Sequence, residues 1–273
     1  MTIEIHAGEG TRMTRTLVIS GGTDGMGRAL ARTYLERGDT VAVVGRDPAK
    51  ALPGTTFIQA DLSLISENRR VIDEVNTRFP VVDALVLCAR YFRTHRFVTK
   101  EGLEGTFALD YLSRFLLSHG LNGPRTIVNV SGPGQPDGRI HWDDLMLEHR
   151  YDGMRAQFQA GKANDLLGVA FAARHGDRTR YVLIHPGGVS TSVAGEYDAA
   201  TAMHVEALKR YGVPVEEGIK PIVARIDDPP AEPLTAFMRH RPIGLDLPSF
   251  DPGAAEKLHE VTLAVIGSTA GPI

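Results

Sequence analysis

Three glycines at a fixed spacing follow a strand-like apolar run near the start of the chain. The run Thr16–Ile19 leads into Ser20, after which Gly21, Gly25 and Gly27 form the pattern Gly-x-x-x-Gly-x-Gly ahead of a helical apolar pattern. In such a turn the first glycine allows a tight reversal, the second lets the backbone approach a pyrophosphate, and the third lets the helix lie close to the strand. The N–H groups of the first helical turn then face the phosphates. The spacing therefore predicts nucleotide binding.

Seven apolar runs separated by helical patterns make up the elements that would position this turn. The predicted strands cover residues 16–19, 41–44, 56–59, 84–87, 126–130, 181–184 and 233–237. Most of these runs are continuously apolar, which is typical of parallel strands covered on both faces, and strands that alternate with helices build βαβ units. We therefore predict an α/β fold with a doubly wound parallel sheet and helices on both faces. One Rossmann-like domain would cover residues 14–273, preceded by an extension at 1–13.

The composition of the 273-residue chain excludes several other function classes. The net charge of −3 offers no basic excess to neutralise nucleic acid phosphates, and the apolar runs are too short to span a membrane. A single cysteine, Cys88, excludes an intramolecular disulfide. The ten histidines show no metal-ligand spacing, so we expect no metal. We expect a small-molecule substrate, no nucleic acid partner, no membrane span and a cytoplasmic location.

The glycine turn resembles that of the short-chain dehydrogenase/reductase family. The usual Thr-Gly-x-x-x-Gly-x-Gly of that family is matched by Ser20, Gly21, Gly25 and Gly27. Further stretches that match the family pattern are 61–62, 101–117, 126–131 and 186–191, and those at 138–145 and 183–187 are most similar to its retinol-dehydrogenase-like subgroup. The resemblance implies a nicotinamide cofactor and carbonyl reduction.

The same resemblance implies a set of cofactor-binding residues. They are Ser20, Gly21, Thr23, Asp24, Gly25, Met26, Gly27, Arg46, Asp61, Leu62, Ala89, Arg90, Pro186, Gly187, Val189 and Thr191. Enzymes that take NAD usually end the second strand with an acid that binds the ribose 2′-hydroxyl. Here Gly45 holds that place and Arg46 follows, whose guanidinium can bind a 2′-phosphate through two N–H groups. Arg46 is either such a ligand or a solvated surface residue, and Asp24 could repel a phosphate; we favour NADP(H) over NAD(H).

The catalytic places of the family hold other residues in this chain. Family members usually use Ser, Tyr and Lys, supported by Asn. Gly132 stands at the serine place and Asp110 at the asparagine place. Anchoring the helix on Ala163-Asn164 puts Gln157 at the tyrosine place and Gly161 at the lysine place. A register shifted by one residue puts Phe158 and Lys162 there instead, so neither register supplies a tyrosine.

Four residues remain as candidates for a replacement acid. They are Asp110, Tyr111, Ser131 and Tyr151. Each has a structural alternative: the two tyrosines are packing residues with an exposed hydroxyl, Ser131 caps its loop, and Asp110 pairs with Arg114 four residues later. Arg90 replaces a small family residue beside the cofactor channel, where it would hold an acidic or phenolic substrate group or a cofactor phosphate.

A substrate lid is expected over residues 192–215. An apolar helix side is formed there by Val193, Tyr197, Ala200, Met203, Ala207 and Tyr211. Together with Trp142 and Met146, Tyr197 and Met203 would line a pocket for a bulky hydrophobic substrate; the alternative is a surface helix. Small residues on the fifth helix, Ala156, Ala160, Ala163 and Ala170, suggest a homodimer through that helix, where family members commonly dimerise.

Two functions fit these features. The first is an atypical NADPH-dependent ketoreductase of secondary metabolism that acts on a bulky hydrophobic or aromatic substrate, such as a polyketide, without the usual Tyr and Lys. The second keeps the fold but performs no net redox chemistry, as an isomerase, dehydratase, cyclase or catalytically silent cofactor-binding protein. The retained glycine turn supports the first function, and the replaced catalytic residues support the second.

Overall fold

The computed structural model describes residues 13–269, so the predicted extension at 1–13 lies outside the described residues except for the exposed Met13. The strands are β1 Thr16–Ser20, β2 Thr40–Gly45, β3 Thr56–Gln59, β4 Ala84–Leu87, β5 Phe92–Arg93, β6 Thr126–Val130, β7 Arg180–His185, β8 Gly195–Glu196, β9 Leu234–Met238 and β10 Arg241–Ile243. The α-helices are α1 Gly25–Glu36, α2 Ile65–Arg78, α3 Gly105–Phe107, α4 Ser113–Gly120, α5 Gly153–His175, α6 Ala199–Tyr211, α7 Val215–Asp227 and α8 Pro252–Thr269.

Eight strands form the central sheet in the order β10-β9-β7-β6-β4-β1-β2-β3. All neighbours pair in parallel except β10, which runs antiparallel to β9. The prediction of a doubly wound α/β fold is confirmed, and all seven predicted strands are present. The eighth strand, β10, was missed because its sequence Arg-Pro-Ile is short and polar, as edge strands often are. The two-residue strands β5 and β8 form a separate small sheet and carry no apolar run.

Apolar layers cover both faces of the sheet. In β1, Val18 faces the layer that includes α2, α5 and α8, whereas Leu17 and Ile19 face the layer that includes α1 and α7. All three side chains are fully buried. Burial on both faces explains why the strands read as continuous apolar runs rather than alternating ones.

The strand order reverses beside β1, which pairs with β2 on one side and with β4 on the other. In an open parallel sheet, the connections leave in opposite directions at such a point and open a crevice beyond the carboxyl ends of the strands. The glycine turn follows β1 directly. The fold therefore places the turn at the crevice where a ligand is expected.

The C-terminal helix α8 packs along α5 and α4. Tyr111 and Thr262 meet through their hydroxyl groups at 2.6 Å, and Arg174 forms an ion pair with Glu256. The small residues of α5 on which the homodimer prediction was based, Ala156, Ala160, Ala163 and Ala170, are at most 4% exposed. They are covered by the chain itself, so that basis for a dimer was wrong. Among residues 13–269, no helix combines the length and the apolar character needed to cross a membrane.

Candidate active site

The glycine turn is built around contacts that leave no room for side chains. Gly21 has φ +71°, and a Cβ there would lie 2.7 Å from the backbone of Ala89 at the end of β4. A Cβ on Gly27 would overlap the carbonyl group of Gly21. The first glycine thus lets the ends of β1 and β4 meet, and the third lets α1 start directly beneath the turn. Gly25 has φ +49°, which an L side chain rarely adopts.

Asp24 is the N-cap of α1. Its Oδ1 accepts from the N–H of Gly25 at 2.7 Å, and its Oδ2 accepts from the hydroxyl of Ser192 at 2.6 Å. The carboxylate therefore joins the turn to the start of the expected lid segment. The first N–H groups of a helix have no intrahelical acceptor, so those of Met26 and Gly27 remain as donors suited to a phosphate. The Met26 side chain packs against the core.

The expected adenosine end of the crevice lies beyond β2 and β3. Arg46 is exposed, and its guanidinium carbon lies 4.8 Å from the ring centre of Tyr91. Gly45 is required there because a Cβ would lie 2.6 Å from the Thr23 side chain. Asp61 accepts from the backbone and hydroxyl of Ser63, which orders the turn after β3. Of the other predicted cofactor residues near the turn, Leu62 is buried in the core, and the hydroxyl of Ser20 accepts from the N–H of Ala89 at 3.4 Å.

The stretch 186–191 leaves β7 and crosses the glycine turn. Pro186 and Val189 are buried, and a Cβ on Gly25 would lie 3.2 Å from the Thr191 side chain. The N–H of Gly187 donates to Nδ1 of His185 at 3.0 Å. The structure therefore brings the two cofactor motifs predicted from the sequence to one place. A nicotinamide dinucleotide fits this arrangement. The crevice is bordered by the first N–H groups of α1, which have no intrahelical acceptor, and by glycine-containing turns that leave room for a ligand.

Gly132 and Gly161 stand in open surroundings. A Cβ on Gly132 would meet only Gln135 and His185, at ordinary contact distances of 3.6 and 3.8 Å, and a Cβ on Gly161 would meet nothing within 4 Å. A serine and a lysine would therefore fit at these positions. Packing therefore does not exclude the family serine at the first position or the lysine that the register anchored on Ala163-Asn164 would place at the second.

Gln157, which the register anchored on Ala163-Asn164 assigns to the tyrosine place, joins Arg90 to Asp110. Its Oε1 accepts from Nε and Nη2 of Arg90 at 3.1 and 2.8 Å, and its Nε2 donates to Oδ2 of Asp110 at 3.0 Å. Nε of Arg90 also lies 4.0 Å from that carboxylate oxygen. An arginine, an amide and a carboxylic acid thus form one hydrogen-bonded group at the cleft.

Asp110 lies within a π-helical turn, Ala108–Leu112, between α3 and α4. Such turns are frequent at functional sites. Its carboxyl group is buried, and burial raises its pKa against the opposing charges of Arg114 and Arg90. The suggested pair with Arg114 is replaced by other contacts, because that guanidinium donates to Asn129, Val130 and Ala89. Asp110 therefore faces Gln157 and Arg90.

The other three acid candidates are placed differently. The Tyr111 hydroxyl meets Thr262 inside the core, and burial raises its pKa, so Tyr111 as a proton donor at the cleft was wrong. The Tyr151 hydroxyl donates to Glu104 at 3.2 Å, and burial raises the pKa of Tyr151 to about 12. Ser131 follows β6 at the carboxyl edge, where its hydroxyl lies 3.5 Å from the carbonyl of Asn129. Ser131 is therefore near the cleft, and Tyr151 is engaged with another buried group.

The predicted hydrophobic pocket is not formed. Met203 on α6 is 69% exposed, Trp142 packs against the core with Lys257 Nζ 4.2 Å from its ring centre, and the Tyr197 ring contacts Phe92. Only Val205 of α6 is buried, so this helix is a surface helix here, which was the alternative reading of the pattern. The periodicity identified the helix but could not show which side would be covered.

Arg239 is a residue of this edge that the sequence analysis missed. It lies in the two-residue turn between β9 and β10, with φ +56°, and its N–H donates to the carbonyl of His185 at 2.7 Å. Its guanidinium lies against Gly187, where a Cβ would overlap it. Recognition of the β9–β10 hairpin in the sequence would have identified Arg239 as a turn residue at this edge of the sheet. Within residues 13–269, no group of three or more His, Cys, Asp or Glu side chains could hold a metal ion.

Comparison with known proteins identifies the family. The short chain dehydrogenase family model matches residues 15–123. A Streptomyces sp. (strain C5) protein provisionally named as a daunorubicin C-13 ketoreductase is 30% identical over 275 residues, covering 94% of each chain. The chain belongs to the short-chain dehydrogenase family. Human retinol dehydrogenase 14 is 28% identical over 211 residues, covering 66% of this chain and 63% of the relative. This family member is therefore similar along nearly its whole length to an oxidoreductase.

Solved structures of low identity share the fold. A Mycobacterium paratuberculosis protein has a TM-score of 0.74 at 23% identity, with 95% of each chain covered. An NADPH-bound carbonyl reductase from chicken fatty liver has a TM-score of 0.60 at 15% identity, covering 83% of this chain and 97% of that one. A Pseudomonas sp. B-0831 3-alpha-hydroxysteroid dehydrogenase complexed with NADH has a TM-score of 0.65 at 21% identity, covering 82% and 94%. Neighbours of this fold thus bind either nicotinamide cofactor.

Proposed function

We propose that this short-chain dehydrogenase is an NADPH-dependent ketoreductase in which Arg90, Gln157 and Asp110 replace the usual tyrosine and lysine. The observation that carries the proposal is the hydrogen-bonded group of these three residues beside an intact glycine turn. The similarity to a protein named as a daunorubicin C-13 ketoreductase supports a ketone on a bulky aromatic polyketide as substrate.

The position of each motif along the crevice indicates which part of the cofactor it would bind. Bound NADPH would supply the hydride. The N–H groups of Met26 and Gly27 would hold the pyrophosphate at the start of α1, and Arg46 would leave the Tyr91 ring to bind the 2′-phosphate. The stretch 186–191 would hold the nicotinamide end.

The chemical roles fall to the three clustered residues. As hydride reaches the carbonyl carbon, negative charge grows on the carbonyl oxygen, and the Arg90 guanidinium would stabilise that charge. Gln157 would hold Arg90 in place through its amide oxygen. Asp110 would give the proton that turns the alkoxide into the alcohol, since burial favours its protonated form. Most of the rate of such a transfer comes from holding donor and carbonyl together.

Titration and single-turnover absorbance test this proposal. We expect NADPH to bind with a Kd well below about 1 mM, the weak edge of specific binding, and an aromatic polyketide ketone to oxidise it stoichiometrically. Gly21→Ala should abolish NADPH binding. Gly102→Ala is the matched control, because it also changes a glycine with positive φ but has no neighbour within 4 Å of its added Cβ. Absence of NADPH binding to the unaltered chain would refute the proposal.

A second candidate is a non-redox or silent protein on the same fold. It is favoured by Gly132 and Gly161, whose open surroundings would accept the family side chains that are missing. Losing a general acid typically lowers the rate a hundredfold or more. Conversion of substrate with an unchanged nicotinamide spectrum would establish this candidate and reject the reductase.

A further inference from the structure

Two arginines stand at the carboxyl edge of the sheet on either side of the expected carbonyl position. Arg90 follows β4 and Arg239 follows β9, and the sheet order β9-β7-β6-β4 places the ends of β6 and β7 between them. Those two strand ends carry Ser131, Gly132 and His185. The cationic side chains therefore stand beside the ends of β6 and β7, where the proposed function places the substrate carbonyl.

The backbone holds Arg239 in this position. Its φ of +56° lies in the left-handed region that residues other than glycine rarely adopt. The hydrogen bond from its N–H to the His185 carbonyl fixes the turn against β7. Gly187, with φ +94°, leaves the space that the guanidinium fills. The hairpin turn and Gly187 together place the Arg239 guanidinium beside the end of β7.

Arg90 keeps donors available for a ligand. Its only hydrogen-bond acceptor among the described contacts is the neutral Oε1 of Gln157, and its side chain is 54% exposed. A guanidinium has five N–H groups in a planar fork that fits a carboxylate. His185 lies in the fields of both arginines, since burial and then the charges of Arg90 and Arg239 lower its pKa. A neutral His185 adds no positive charge between the two guanidinium groups, of which Arg90 faces the Asp110 carboxyl group at 4.0 Å.

We propose that the cleft takes a ketone that also carries an acidic group, a carboxylate or an ionised phenol, bound between Arg90 and Arg239. This proposal rests on the proposed ketoreductase function. A charge-assisted hydrogen bond contributes enough to change affinity about 10- to 100-fold. A cofactor phosphate could bind the same two arginines through the same kind of contact. The test therefore measures binding of the substrate analogue and of the cofactor separately.

Calorimetric titration with 1-hydroxy-2-naphthoate and with its methyl ester tests the site without requiring turnover. We expect the acid to bind at least tenfold more tightly than the ester. Arg239→Gln and Arg90→Gln should each lower the affinity for the acid about tenfold or more. The affinity for NADPH should stay unchanged in both variants. Arg239→Lys, which keeps the charge but loses the planar fork, should show a smaller loss. Thermal melting of each variant verifies that it is folded.

Arg241→Gln is the matched control. Arg241 lies on the same hairpin, is exposed, and carries the same charge, so its removal tests long-range attraction alone. Equal affinities for acid and ester, or an equal loss in Arg241→Gln and Arg239→Gln, would overturn the proposal. A lower affinity for NADPH with an unchanged affinity for the naphthoate would assign the arginines to a cofactor phosphate. That result would also overturn the proposal. Tight, arginine-dependent naphthoate binding in a chain that never oxidises NADPH would instead refute the ketoreductase function while retaining the anion site.

Discussion

Gln157 donates its amide N–H to Asp110 across 3.0 Å, so the two residues that the register anchored on Ala163-Asn164 assigns to the tyrosine and asparagine places are in direct contact. In the usual arrangement a phenol at the first place gives up a proton. Here an amide, which has no proton to give near neutral pH, links a buried acid to an arginine. In the proposed function the acid–base task would pass from α5 to Asp110 in the π-turn before α4.

Asp110→Asn should lower the single-turnover rate of ketone reduction about a hundredfold, because it removes the proposed proton donor. The amide keeps the volume of the side chain and can still accept from Gln157. NADPH affinity should not change, since the Asp110 side chain bonds to Gln157 and not to a residue of the glycine turn. Ser131→Ala is the control and should retain the rate, because the Ser131 hydroxyl makes only a 3.5 Å contact to a carbonyl. An unchanged rate in Asp110→Asn would point to water or a substrate hydroxyl as the donor.

Arg46→Gln should weaken NADPH binding by about 10- to 100-fold, because a charge-assisted contact to the 2′-phosphate is lost. NADH lacks that phosphate, so its affinity should stay the same. Arg32→Gln on the exposed side of α1 removes the same charge and should leave both affinities unchanged. Parallel titrations with the two cofactors measure the effect. Equal losses for both cofactors would show that Arg46 is not a 2′-phosphate ligand.

Tyr111→Phe should leave reduction unchanged and lower the free energy of unfolding by about 1 kcal/mol, the typical net worth of one hydrogen bond. Thr262 donates to the carbonyl of Leu258, so the Tyr111 hydroxyl acts as donor in the 2.6 Å contact between them. The phenyl ring keeps its packing against Phe107 and Phe115. Urea unfolding followed by circular dichroism measures the change. A large loss of turnover would instead place Tyr111 in the reaction.

Local patterns were enough to predict the sheet and the glycine turn. Most strands of the parallel sheet are continuous apolar runs, and the turn is specified by Gly21, Gly25 and Gly27 within seven residues. The structural alternative for Asp110, an ion pair with Arg114, also relied on local spacing. It was wrong because Arg114 instead donates to the carbonyl of Val130 on β6 and to that of Ala89 after β4.

Features that depend on contacts distant in the sequence could not be predicted. Arg239 reaches Gly187 only because β9 pairs with β7 and turns back as β10. The small residues of α5 are buried by several other segments of the folded chain, which no spacing within α5 reveals. On α6, helical periodicity shows Met203 and Tyr211 on one side, but only the folded chain shows that this side is exposed.

Three histidines from three helices meet where α8 packs on the chain. The His119 ring of α4 lies 5.4 Å from His175 of α5 and 5.3 Å from His259 of α8, and Phe115 and Phe171 contact the same group. Burial lowers the pKa of His119 to about 3, and the neighbouring histidines and Arg174 act in the same direction. Burial also lowers the pKa of His175 and of His259, where Arg174 adds to the shift and Glu256 opposes it at His259. The folded chain thus favours neutral imidazoles.

The stability that neutral His119 contributes should therefore fall as the pH falls below about 6.5, the ordinary pKa of histidine in an unfolded chain. Between that value and about 3, the unfolded chain binds a proton at His119 that the folded chain does not, so this residue favours unfolding by about 1.4 kcal/mol per pH unit. The buried Asp165 acts in the opposite direction, because burial raises its pKa to about 7. Thermal melting of the unaltered chain and of His119→Phe from pH 7.5 to pH 4.5 isolates the contribution of His119 as the difference between their slopes. The loss of stability with falling pH should be smaller in His119→Phe, because an aromatic ring without a proton keeps the contact with Phe115. His204→Phe on the exposed α6 removes a solvated histidine and should keep the original slope. A pH profile that is equally steep in His119→Phe would show that the acid sensitivity arises elsewhere in the fold.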